Sequence, residues 1–149
     1  MDHKLLDKLA EEKRSLLDMI AEKEMLHLKN KYIMLIDDSE ETIFMMSAYL
    51  KTLGTHEIKT FTNEFDALSE ITRHPPDLII LDIILKQTSG IKLAKAIHDL
   101  DVFRGPIVFM SSSASFERDL HEEFGPNLHF FKKPVDKRKF TEVIYALLK

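Results

Sequence analysis

The chain of 149 residues contains no cysteine. That excludes a disulfide framework and a thiolate metal site. It also fits a reducing compartment, so a cytoplasmic protein is the expectation. Glycine is scarce: Gly54, Gly90, Gly105 and Gly125 each stand alone. A loop that wraps phosphate with its backbone needs clustered glycines, so neither a P-loop nor a dinucleotide-binding turn is available. No apolar run approaches the roughly 20 residues that span a bilayer. The charged start Met-Asp-His-Lys-Leu-Leu-Asp-Lys lacks the apolar stretch of a signal peptide, and no membrane association is expected. Basic charge is not in excess either. The net charge of -4 argues against nucleic acid as a direct partner, because phosphate backbones select basic faces.

What remains is ordinary globular composition, with 44% hydrophobic and 31% charged residues, enough for one domain. Its most informative feature is a set of polar residues, each placed at the end of a short apolar run. Asp37-Asp38 follows Tyr32-Ile33-Met34-Leu35-Ile36, and Asp82 follows Leu78-Ile79-Ile80-Leu81. Ser111 follows Pro106-Ile107-Val108-Phe109-Met110, and Lys133 lies just past Leu128-His129-Phe130-Phe131. In a parallel sheet all strand C-termini point to one edge, so these residues converge on one crevice. Three carboxylates, a hydroxyl and an ammonium there suit a divalent cation and a phosphoryl group.

The chain divides into residues 1–29 and residues 30–149. In the first part, Leu5, Leu9, Leu16, Met19, Ile20 and Leu26 recur at helical spacing, which predicts one amphipathic helix. Glu12, Lys13 and Lys23 interrupt its stripe, so a coiled coil built on it is expected to be short and weak. The functional reading of this helix is dimerisation of two copies or docking of a partner; the bland reading is a surface helix packed on the domain or partly frayed.

From Lys31 onward strands and helices alternate. Strands are predicted at 31–36, 57–61, 77–81, from Pro106, and at 127–131. Asp38 is the expected cap of the helix running to about Leu53, with Glu41 completing a capping box and Gly54 as the stop. Asn63 is expected to cap a helix of residues 64–73. Further helices end near Leu100 and Gly125, and the last runs from about Asp136 to Leu148. This is (βα)5, and right-handed crossovers make it a doubly wound parallel α/β sheet.

At these residues the chain resembles the receiver domain of two-component response regulators, over about residues 30–149. The family pattern is an acidic pair after strand one, an Asp after strand three, a Ser or Thr after strand four and Lys-Pro after strand five. Here these are Asp37-Asp38, Asp82, Ser111 and Lys133-Pro134, with Gly90 eight positions past the central Asp. The resemblance implies a flavodoxin-like five-stranded fold with strand order 2-1-3-4-5. It implies that Asp82 is a phosphoacceptor, taking a phosphoryl group from a sensor histidine kinase or a histidine phosphotransfer protein. It implies Mg²⁺ held by Asp37, Asp38, Asp82 and the backbone carbonyl of Ile84. Lys133 would meet the phosphoryl oxygens, Ser111 would donate its hydroxyl once Asp82 is modified, and Phe130 would follow as the switch aromatic. Lys133-Pro134 is commonly cis in this family. The expected outcome is changed affinity for a downstream protein target.

Several positions depart from the commonest pattern. Lys86 stands where Pro is frequent, Ser112 where Ala or Gly is common, and Phe130 has no hydroxyl. Ile84 is apolar at a position thought to help orient hydrolytic water, so slow loss of the phosphoryl group is expected. The histidines show no metal-ligand spacing, and His27 on the first helix is read as a surface residue. The Lys- and Arg-rich stretch from Lys132 to Lys139 is read as a solvated helix face.

Two other function classes compete. One is an adaptor that uses the same fold without phosphorylation and acts through the first helix. The intact acidic pair, Asp82 and Lys133 argue against it. The other is a hydrolase of the haloacid dehalogenase type, which needs Asp-x-Asp at one strand end; Asp82-Ile83-Ile84 fails this. No output domain is expected after the last receiver helix, and the protein is expected to signal rather than to turn over a substrate.

Overall fold

The computed structural model describes every residue except Met1, His56, Pro126 and Asn127, and the side chains of residues 21–27. Among the described residues, the order is α1 (His3–Leu28), β1 (Tyr32–Ile36), α2 (Glu40–Lys51), β2 (Glu57–Phe61), α3 (Glu64–Arg73), β3 (Leu78–Asp82), α4 (Gly90–Asp99), β4 (Ile107–Ser111), α5 (Phe116–Phe124), β5 (His129–Lys132) and α6 (Lys137–Leu148). The strands form one parallel sheet in the order β2-β1-β3-β4-β5. The expected flavodoxin-like α/β topology is therefore present, with α1 added ahead of it.

The apolar runs explain the layering. Side chains alternate across a strand, so each continuous run feeds two cores at once. Met34, Ile36, Ile79, Leu81 and Phe109 pack on one face with residues of α3, α4 and α5. Ile33, Leu35, Ile80, Val108 and Met110 pack on the other with Met46 and Leu50 of α2 and Phe140, Ile144 and Leu148 of α6. All five residues of β1 and of β3 are buried, while β2, at the sheet's edge, is only partly so.

The helix starts follow cap chemistry, with one correction. Asn63 and Asp136 cap α3 and α6, and Ser89 caps α4. Asp38 does not cap α2. Ser39 does, its side chain accepting from the Thr42 N–H at 3.3 Å. The chain continues one residue further because the Asp37 carboxylate accepts the Ser39 N–H at 2.8 Å, holding Ser39 in place. Strand boundaries also move slightly. Pro106 has no N–H to give, yet its carbonyl accepts from Ile79, and β4 proper begins at Ile107. β5 begins at His129; the predicted start at Asn127 lies outside the described residues, as does the side chain of His27.

α1 differs from the other helices. Residues 2–20 are all exposed, including Leu5, Leu9, Leu16 and Ile20. Among the described side chains of α1, Leu28, at its end, is the one that enters the core, against the α2/α6 side of the sheet. A helix packed along the domain is not what residues 3–20 form.

Candidate functional site

Parallel pairing in register brings the strand ends level. Ile36 pairs with Leu81, and Asp82 with Met110, so Asp37, Asp82 and Ser111 emerge at one edge. The Lys133 N–H donates to the Ser111 carbonyl, which extends the β4–β5 ladder to the lysine. One carboxylate oxygen from each of Asp37, Asp38 and Asp82 lies within 4.8 Å of the others. Asp38 can join this cluster because Ser39 has taken over the capping.

Lys133 ties the cluster together. Its Nζ donates to Asp37 Oδ2 at 2.7 Å and lies 3.3 Å from Asp82 Oδ2. Asp37 is fully buried and the Asp82 side chain is 7% exposed. Asp82 Oδ1 also accepts the Ile84 N–H at 3.3 Å. Burial first, and the neighbouring Asp37 second, push the Asp82 carboxyl up from 3.8 to about 6 against the pull of Lys133. Burial alone would lower Lys133, but its hydrogen bond to Asp37 and the charge of Asp82 outweigh it and raise the ammonium above its ordinary range.

The donor set suits a small hard cation. Three carboxylates against one ammonium leave two negative charges in excess inside the crevice. The oxygens of an octahedral Mg²⁺ site lie roughly 3–4 Å apart, close to the spread seen here. Ile84 is brought beside Asp82 by its N–H, with its side chain exposed.

Ser111 is fully buried at the end of β4, and its Oγ accepts the Ser113 N–H at 3.2 Å. Ser113 and Ser115 are joined hydroxyl to hydroxyl at 2.6 Å. The Ser-rich loop is thus a chain of short-range hydrogen bonds that orients the Ser111 hydroxyl. Phe130 is half-buried on β5, opposite Phe109, and packs on the core face shared with α4 and α5. The Lys133–Pro134 peptide is cis.

Gly90 has a concrete reason to be glycine. A Cβ there would stand 2.1 Å from the Asp82 carbonyl oxygen, and the Gly90 N–H donates to the Ile83 carbonyl. The start of α4 presses directly against the backbone that carries Asp82. Nothing in the spacing alone marks this contact.

The response regulator receiver domain family matches residues 33–145. The chain belongs to that family. Among curated relatives, it is 28% identical over 119 residues to the polar-differentiation response regulator DivK of Brucella anthropi, covering 79% of this chain and 96% of DivK. It is 25% identical over 120 residues to the alkaline phosphatase synthesis transcriptional regulatory protein PhoP of Bacillus subtilis, covering 80% of this chain. The chain spans about half of PhoP, 49% of its length. Among solved structures, a two-component response regulator from Clostridium difficile superposes with a TM-score of 0.70 at 26% identity, over 80% of this chain and 96% of that one. The chemotaxis protein CheY4 of Vibrio cholerae has the same fold, with a TM-score of 0.70 at 21% identity over 80% of this chain and 99% of its own. Receiver domains bind Mg²⁺ at an acidic pocket and act with histidine kinases or phosphotransfer proteins and downstream targets. Among the described residues, no helix is long and apolar enough to cross a membrane.

Proposed function

We propose that this receiver domain is a phosphoacceptor of a two-component phosphorelay, with Asp82 as the residue modified. The observation that supports it most is Asp82 itself. It is a buried carboxylate at the end of the central strand, within 4.8 Å of two further carboxylates and 3.3 Å from an ammonium. An Asp82 oxygen attacks phosphorus, an O–P bond forms, and the N–P bond of a phosphohistidine breaks with its electron pair staying on the imidazole nitrogen.

The chain's own residues do the positioning. Lys133 lies beside Asp82 and Asp37 and offers a point charge to the incoming oxygens. Asp37, Asp38 and Asp82 would hold Mg²⁺, with the Ile84 carbonyl as a further ligand. Bound there, the ion offsets charge on the transferring group. The Ser111 hydroxyl then donates to a phosphoryl oxygen. Its loop moves inward, and Phe130 changes its packing against the core. Lacking a hydroxyl, Phe130 reads the change by shape alone. The product is a modified surface with altered affinity for a protein target. The protein signals rather than turning over a substrate.

The test is incubation with acetyl phosphate, with and without Mg²⁺, read by intact mass beside Asp82→Asn. A Mg²⁺-dependent phosphoryl adduct that the variant lacks is the expected result. Absence of an adduct while Mg²⁺ still binds would shift the function to a phosphorylation-independent adaptor.

A further inference from the structure

We infer that α1 is the dimerisation element of this protein and pairs in parallel and in register with α1 of a second copy. The starting observation is an exposed apolar stripe on a long helix. Leu5, Leu9, Leu16 and Ile20 are each more than half exposed. At about 100° per residue they fall within about 60° of one another, so they form one seam. A stripe of this kind on a helix that leaves the domain marks an interaction surface.

Glu12 and Lys13 break the stripe if it is read in heptads. They fit it in an 11-residue frame, the repeat of a two-helix contact with a right-handed supercoil. Leu5 and Leu16 are 11 apart, and so are Leu9 and Ile20. Glu12 and Lys13 occupy the two flanking places between them, about 50° to either side of the seam. One repeat on, the sequence places Lys23 and Glu24, again opposite in sign.

Those flanking charges select the partner and its direction. Across a parallel two-fold axis, the left flank of one helix meets the right flank of the other. Glu12 then faces Lys13 of the second copy, and Lys13 faces its Glu12, at nearly equal height. In an antiparallel pair centred on these residues, like flanks meet, so Glu12 would face Glu12 and Lys13 would face Lys13. The pattern is thus complementary to itself in the parallel arrangement and repulsive in the antiparallel one. A lipid surface is a poorer occupant. From residue 3 to 20 the helix carries acidic and basic side chains in equal number, four of each, whereas interfacial helices are rich in Lys and Arg.

The arrangement has a consequence for signalling. Only residues 29–31 separate the end of α1 from β1. Parallel pairing therefore brings two receiver domains to the same end, side by side.

The experiment uses the full chain. Sedimentation equilibrium should give twice the 17.3 kDa of one chain. Glu12→Lys should lose the dimer, and the double variant Glu12→Lys/Lys13→Glu should regain it. Because the chain has no cysteine, one introduced thiol reports position without interference. Leu5→Cys and Ile20→Cys should each form a disulfide with its own copy, and a mixture of the two should form no mixed disulfide. Circular dichroism of each variant checks that the receiver fold is intact. A mass of one chain or of three, a dimer indifferent to Glu12→Lys, or a Leu5→Cys/Ile20→Cys mixed disulfide would each overturn the inference.

Discussion

The crevice and α1 depart from the usual distribution of residues in opposite directions. The crevice hides Asp37, Asp82 and most of Lys133 from water, while α1 presents leucines to it. Each departure costs stability in the lone chain, and each marks a place where something else is to be bound. The difference lies in how the cost is carried. Buried charges in the crevice are held by strands that the two cores make rigid, so the penalty falls on the whole domain. The exposed leucines lie on a helix whose residues 2–20 are free of the core, so their penalty is local. Substitutions in the two regions should therefore differ sharply in how far they propagate.

The largest effect is expected at Lys133. Replacing it by Met leaves Asp37 and Asp82 facing each other without a cation, and one of them is fully buried. Removing one partner of a buried ion pair typically costs 3–5 kcal/mol, and a loss of about 3 kcal/mol is expected in urea unfolding at pH 7 with metal removed. Added Mg²⁺ should return part of it, since a divalent cation offsets the same charges. A loss below about 0.5 kcal/mol would show that water already screens the crevice.

A smaller effect of opposite sign is expected at Asp82. Its carboxyl titrates at about 6 in the folded protein, above the ordinary 3.8. The folded state therefore binds this proton more tightly than the unfolded chain does. No penalty exists below about pH 4, where both states are protonated. It grows as the pH rises through that window and is complete above about pH 6. Asp82→Asn should thus stabilise the metal-free protein by about 2–3 kcal/mol at pH 7 and by almost nothing near pH 3.5. Thermal unfolding of both proteins across that range checks the sign. An equal gain at both pH values would mean that packing, not charge, sets the difference.

The same contrast explains what the sequence makes legible. Continuous apolar runs of about five residues, alternating with helical spacing, suit strands buried on both faces, so a parallel sheet follows, and with it the meeting of Asp37, Asp82, Ser111 and Lys133 at one edge. The strand order comes from the resemblance to receiver domains, not from the runs. The cap of α2 did not follow. Asp38 and Ser39 are both good caps, and only the pull of the Asp37 carboxylate on the Ser39 N–H decides between them. The contact of Gly90 with the Asp82 carbonyl is likewise tertiary, since it depends on where α4 lands against β3. In α1 the apolar spacing was legible as a helix. Whether that stripe would lie on the domain was not, because the same pattern serves either use.

The smallest effect is expected on α1. Leu9 is exposed and stands far along the helix from Leu28, the residue that enters the core. Placing a charge there removes no buried contact within one chain. Leu9→Glu should change receiver unfolding by less than about 0.5 kcal/mol, the usual range for surface substitutions, when measured in urea at a concentration where the protein is monomeric. The same substitution at higher concentration should abolish the dimer, because a seam position then holds two carboxylates face to face. A loss above about 1 kcal/mol in the monomer would mean that the stripe packs on its own receiver domain, and the division between a rigid crevice and a free helix would fail at that point.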